Sequence, residues 1–143
     1  MKYLILVSHG LMADGLCDTL EMFVGKNDTI ISCGLLKDMS VDQFSEKFKT
    51  KISKINKNED EIILLADIKG GSPLTTAIAV LEETDLLSKA AFYVGMNLPM
   101  ALNAACYKDI YLGGQLQSAL MEGSTPYYYC FGDTCTIELV EDI

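Results

Sequence analysis

The chain has 143 residues, half of them apolar, and a net charge of −9 at neutral pH. That length is one domain's worth, residues 1–143, with room for a full hydrophobic core, and the composition is that of a folded chain. The charge excludes the basic footprint that nucleic acid requires and argues against anionic membrane surfaces; a basic protein partner, or solubility alone, accounts for it.

The opening MKYLILVSHG reads as a first strand and not as a signal peptide, because no small-residue cleavage site follows. Within it Tyr3–Val7 is an unbroken apolar run of the kind a buried parallel strand needs. A helix follows from Ala13 to Val24, with Leu16, Leu20 and Phe23 on one face and Gly25 as its stop. Thr29–Leu36 is the second strand. Ser40 opens a second helix and Gln43 completes a capping box. Its apolar stripe is Val41, Phe44, Phe48, Ile52 and Ile55, and its lysines and acids form a solvated face.

Glu61–Ala66 is the third strand and ends in Asp67. The glycine turn Gly70-Gly71 leads to Ser72 as N-cap and Pro73 as the first helical residue. Ala90–Val94 is the fourth strand, Pro99 starts a helix to Tyr107, and a further helix covers Gly114–Met121. The tail over 126–141 reads as an antiparallel strand or hairpin around Gly132-Asp133. No apolar stretch reaches the length of a membrane span. Strands alternating with helices predict an α/β fold: a mostly parallel four-stranded sheet of order 2-1-3-4, with helices on both faces.

Five cysteines at scattered positions include no CxxC pair, and the chain has a single histidine. Ordinary zinc spacing is therefore missing, no metal or cofactor is expected, and reduced thiols in a cytoplasmic protein are the default.

Three strand ends carry unusual residues: Ser8-His9-Gly10, Asp67 with Gly70-Gly71-Ser72-Pro73, and Gly95-Met96-Asn97-Leu98-Pro99. Open α/β sheets place their chemistry at strand carboxyl ends. In the order 2-1-3-4, strands one and three are neighbours about 4.8 Å apart, which brings Asp67 within reach of His9. An aspartate on Nδ1 fixes the tautomer and leaves Nε2 as a nucleophile. Gly70, Gly71 and Ser72, at a helix N-terminus, suit an anion. A nucleophilic imidazole beside an anion cradle points to phosphoryl transfer through phosphohistidine. Each piece also has a plain structural reading: a satisfied histidine, an aspartate capping a turn, a glycine turn with a helix start. Their conjunction at separate strand ends favours chemistry. There is no GxxxxGK[ST] motif, so the donor is expected to be a phosphoprotein, not ATP.

Four segments, ILVSHG, Glu21–Gly25 (EMFVG), AD-x-x-GGSP at 66–73 and VGMNLPM at 94–100, resemble the IIA component of the mannose/fructose/sorbose class of the bacterial phosphoenolpyruvate-dependent sugar phosphotransferase system. The resemblance implies an α/β homodimer whose C-terminal strand can be exchanged between subunits. It implies that His9 receives a phosphoryl group on Nε2 from the phosphocarrier HPr and passes it to a IIB component, which serves the membrane IIC and IID components. It assigns Asp67 to orienting His9, and Gly70, Gly71 and Ser72 to the phosphoryl-contacting loop. The protein would then be cytoplasmic and peripheral to a membrane transporter. Lys69, where the family commonly has a bulky residue, becomes a candidate contact to the phosphoryl group or a partner.

Other classes fit less well. Histidine phosphatases and mutases need an arginine before the histidine and a second histidine, whereas Ser8 stands here and His9 is alone. Tetrapyrrole metal chelatases want further ligands. The IIA-like subunit of a dihydroxyacetone kinase system typically lacks the GGSP and GMNLP pair, and a IIA-like regulatory module would differ only in its partner.

Overall fold

A computed structural model describes residues 1–127. The expected C-terminal strand or hairpin over 126–141 lies outside the described residues, except for Pro126 and Tyr127, which are exposed. The elements in chain order are β1 (Lys2–His9), α1 (Met12–Val24), β2 (Ile30–Leu35), α2 (Val41–Lys51), β3 (Glu61–Ala66), α3 (Ser72–Glu83), a short 3-10 turn (Leu87–Lys89), β4 (Ala90–Val94), α4 (Leu98–Tyr107) and α5 (Gly114–Gly123). The four strands are all parallel and lie in the order β2-β1-β3-β4, as expected.

β1 is central, which explains its unbroken apolar run. Alternate side chains leave a strand on opposite faces. Tyr3, Ile5 and Val7 join the core with Phe44 and Phe48 of α2 and with Leu74, Ala77 and Leu81 of α3. Leu4 and Leu6 join the other core with Leu20 of α1, Met100 and Ala104 of α4 and Leu120 of α5. Helices therefore cover both faces. The capping box at α2 is complete: the Gln43 backbone N–H donates to Ser40 Oγ at 3.1 Å and the Ser40 N–H donates to Gln43 Oε1 at 2.8 Å.

Three readings of the helices need correction. Phe23 is exposed although Leu20 is fully buried, because no described part of the chain covers its side of the last turn of α1. Val41 is also exposed, since the covered part of its stripe begins one turn later at Phe44. The lysines of α2 do not all face solvent. Lys47 Nζ donates to the Gly34 carbonyl at 3.1 Å, Lys51 Nζ to the Ser32 carbonyl, and Lys54 Nζ, beyond the helix, to the Asp28 carbonyl at 2.6 Å.

This lysine row matches the geometry of an edge. Among the described residues β2 is an outer strand, and the carbonyls of Thr29 and Leu35 point inward to accept from Leu4 and Gly10 of the β1 side. The Ser32 and Gly34 carbonyls therefore point outward. Two strand residues span about 6.6 Å and four helical residues about 6 Å, so Lys47 and Lys51 meet alternate carbonyls in step. Unpaired edges invite pairing with other chains, and lysine is a common guard against it. Replacing both Lys47 and Lys51 by alanine is expected to lower stability by about 1–2 kcal/mol and to increase light scattering on heating. An unchanged melting and scattering profile would mean that water solvates this edge equally well.

Candidate functional site

The alternation along β1 sets the site. Ser8 continues the Leu4 and Leu6 side, where it is fully buried and its Oγ accepts the Ala13 N–H at 2.7 Å. It thereby caps α1, whose own N-cap Leu11 has no side chain able to do so. His9, one residue on, leaves from the opposite face. It is the last residue of β1 and still pairs with Leu35 of β2, so it lies within the strand rather than just after it.

Asp67 directly follows β3, whose last register pair with β1 is Val7 with Ala66. One carboxylate oxygen, Oδ2, accepts the His9 backbone N–H at 2.9 Å and lies 2.7 Å from His9 Nδ1. The other, Oδ1, accepts the Ile68 N–H at 2.9 Å. The aspartate side chain is 12% exposed and the imidazole 47%, so the anchor is sheltered and the ring is open. Partial burial pushes the Asp67 carboxyl up. Hydrogen bonds from the His9 backbone, the His9 ring and Ile68, together with the charge of the imidazole, outweigh it and hold the carboxyl below its usual range. An ionised Asp67 can only accept, so the proton of the neutral ring sits on Nδ1 and the Nε2 lone pair is free.

The start of α3 differs by one residue from the sequence reading. The Gly71 carbonyl accepts the first helical bond, from the Thr75 N–H at 3.0 Å, which makes Gly71 the N-cap and Ser72 the first helical residue. Pro73 is then second. Glycine has no side chain to cap with, and among the described residues no side-chain hydrogen bond caps this helix. A helix N-terminus without a side-chain acceptor is disposed to bind an anion. Gly70 precedes it with φ 78°, a left-handed conformation that glycine accommodates. Ser72 and Lys69 are exposed.

The third strand end serves the fold. Asn97 Oδ1 accepts the Met100 N–H at 2.9 Å and caps α4, while the Met96 N–H donates to the Ala66 carbonyl at 3.0 Å. Of the three expected ends, two meet at His9 and the third braces them.

Sequence reasoning missed the apolar rim of the site. Leu11, Met12 and Ile68 are large, apolar and exposed, and a groove of about 660 Å³ is lined by Gly10, the residue directly after His9, and by Leu11, Leu36, Met39 and Gln43, among others. The signal was present in Leu11-Met12, two bulky apolar residues where a loop after a strand is ordinarily polar. Among the described residues no group of three or more histidine, cysteine, aspartate or glutamate side chains could hold a metal ion. Burial pushes the Cys17 and Cys33 thiols up, so neither is an activated nucleophile. No helix among the described residues is long and apolar enough to cross a membrane.

The family described as "PTS system fructose IIA component", of the sugar phosphotransferase system (PTS), has a model that matches residues 3–115. The chain belongs to this family. It is 27% identical over 109 residues to the PTS system fructose-specific EIIA component of Bacillus subtilis, covering 76% of this chain and 72% of that protein. It is 23% identical over 106 residues to the PTS system mannose-specific EIIAB component of Escherichia coli, covering 74% of this chain but only 32% of that longer protein. Among solved structures, it is similar to the phosphotransferase system component EIIA of Streptococcus agalactiae, with a TM-score of 0.71 and 25% identity over 87% of this chain and 92% of the other. It is likewise similar to a PTS IIA protein associated with the fucose utilization operon of Streptococcus pneumoniae, with a TM-score of 0.72 and 26% identity, covering 85% of this chain and 88% of that chain. A mannose-class IIA component is part of a sugar-transport phosphotransferase system, and its general activity is that of a transferase.

The lowered carboxyl of Asp67 has a measurable consequence. A group whose folded value is depressed contributes stability that is whole above its unfolded value, about 3.9 for aspartate, and is lost as pH falls through the folded value. Asp67→Asn is therefore expected to be less stable than the parent chain near neutrality, with the gap closing in strong acid. Urea unfolding across a pH series checks this; a gap independent of pH would mean that the charge of Asp67 does not stabilise the fold.

Proposed function

We propose that the protein is a phosphohistidine carrier: His9 accepts a phosphoryl group from phospho-HPr and passes it to a IIB component for phosphorylation-coupled sugar uptake. The observation that carries this reading is the 2.7 Å contact between His9 Nδ1 and Asp67 Oδ2, made by a ring that is otherwise 47% exposed. With Nδ1 so engaged, Nε2 is the nucleophile. As the N–P bond of the donor histidine breaks, a new N–P bond forms at Nε2. The Nδ1 proton stays in place, donating to Asp67, whose negative charge offsets the positive charge that the ring gains.

The rest of the site has a part in the same step. Gly70, Gly71 and Ser72 form the phosphoryl-binding turn, where the uncapped start of α3 and the Ser72 hydroxyl neutralise charge on the transferred oxygens. The exposed apolar residues Leu11, Met12 and Ile68 suit a protein partner better than a small sugar, and the open groove lined by Gly10 and Leu11, directly after His9 in the chain, gives such a partner room. The carrier would work in the cytoplasm, as a homodimer, peripheral to a transporter built from IIC and IID components that it reaches through IIB.

The test is reconstitution. With Enzyme I, HPr and phosphoenolpyruvate, the chain is expected to take up an acid-labile phosphoryl group, and His9→Ala to take up none. Strong labelling of the alanine variant would overturn the assignment. Asp67→Asn is expected to keep the fold and slow transfer by roughly tenfold to a hundredfold, measured by rapid quench with purified phospho-HPr.

A further inference from the structure

Two adjacent glycines precede α3, and they are glycine for different reasons. Gly70 has φ 78°, which a side chain would strain. Gly71 has φ −76° and ψ 159°, ordinary extended backbone that any residue adopts. Its lack of a side chain therefore needs another cause. A Cβ built on Gly71 would lie 2.7 Å from His9 Cε1, and 3.2 Å and 3.4 Å from Cγ1 and Cδ1 of Ile68. Ile68 is 54% exposed and free to move aside. The imidazole is not, because Nδ1, next to Cε1 in the ring, is held 2.7 Å from Asp67 Oδ2.

We propose that Gly71 is a positioning residue for His9: the missing Cβ lets the ring edge rest on the backbone at the start of α3, and this contact together with Asp67 fixes the ring plane and the direction of Nε2. The ring is bonded to the chain through Cβ, bound to Asp67 at Nδ1 and stopped at Cε1. Nε2 is the next atom round, so it has no remaining freedom. A methyl group at position 71 would need the ring to withdraw by several tenths of an ångström, which lengthens the bond to Asp67 or turns Nε2 away from the helix start. The consequence for phosphoryl transfer rests on the carrier reading above; the ring geometry does not.

The experiment uses NMR of protein labelled with nitrogen-15 at histidine, unambiguous because the chain has one histidine. In the unsubstituted chain a nuclear Overhauser effect is expected between His9 Hε1 and the Gly71 α-protons, and the neutral ring is expected in the Nδ1–H form. In Gly71→Ala the thermal midpoint is expected to fall modestly, since alanine is a poorer N-cap than glycine and its methyl group crowds the ring. The nitrogen shifts should become those of mixed tautomers, and transfer from phospho-HPr should slow by roughly a hundredfold. Gly70→Ala supplies the contrast: a lowered midpoint with the Nδ1–H tautomer retained. Wild-type nitrogen shifts in Gly71→Ala would overturn the proposal. So would the missing Overhauser effect in the unsubstituted chain, a measurement that holds even if the alanine variant does not fold. If the parent chain takes no phosphoryl group from phospho-HPr, the carrier reading fails while the ring measurements still decide the role of Gly71.

Discussion

The hydrogen bonds from His9 to a single carboxylate oxygen of Asp67 tie together two strands 58 residues apart in the chain, and the geometry of the site follows from them. The same oxygen receives the backbone N–H of His9 and faces its ring. One contact thus locates the end of β1 relative to β3 and orients the side chain that stands there. It requires β1 and β3 to be neighbours, which the order β2-β1-β3-β4 provides. It also requires the register to be right. A slip of one residue would exchange the faces of Ser8 and His9, leaving α1 without its cap and the start of α3 beside a serine.

The site divides shelter from access. Asp67 is largely enclosed, which strengthens its hydrogen bonds, while enough of His9 is open for another protein to reach it. The exposed apolar residues Leu11, Met12 and Ile68 follow the same strand ends that carry His9 and Asp67, so the surface a partner would touch is built by the turns that create the site. Elsewhere the fold closes a surface. Lys47 and Lys51 cover outward carbonyls of β2, and Lys54 covers the Asp28 carbonyl just before it, along an edge that would otherwise invite pairing. In an acidic chain those cations are few, and three of its lysines serve this edge.

Local signals in the sequence were dependable where the forces are local. The capping box of Ser40 and Gln43 needs only residues three apart, and it is present as read. The apolar run in β1 correctly indicated a strand buried on both faces. Readings failed where the partner is distant. Phe23 and Val41 fit helical stripes, but a stripe does not say how far the neighbouring sheet extends. Ser72 is a good N-cap residue, yet Gly71 takes that place because the turn closes one residue earlier. The α2 lysines looked solvated because a backbone carbonyl of another strand leaves no trace in side-chain pattern.

By itself the sequence determined the element types, the parallel α/β class, the resemblance to mannose-class IIA components, and the residues worth watching: a lone histidine at one strand end, an aspartate and a glycine turn at another. These depend on periodicity, propensity and short spacings, which are properties of the chain alone. Only the tertiary structure decided that Asp67 touches Nδ1 and leaves the far side of the ring open, that Asn97 caps a helix instead of joining the site, and that Gly71 lies against His9. Those outcomes depend on strand register and on the closeness of loops far apart in sequence. Register is set by packing of the whole sheet, and no local pattern encodes it.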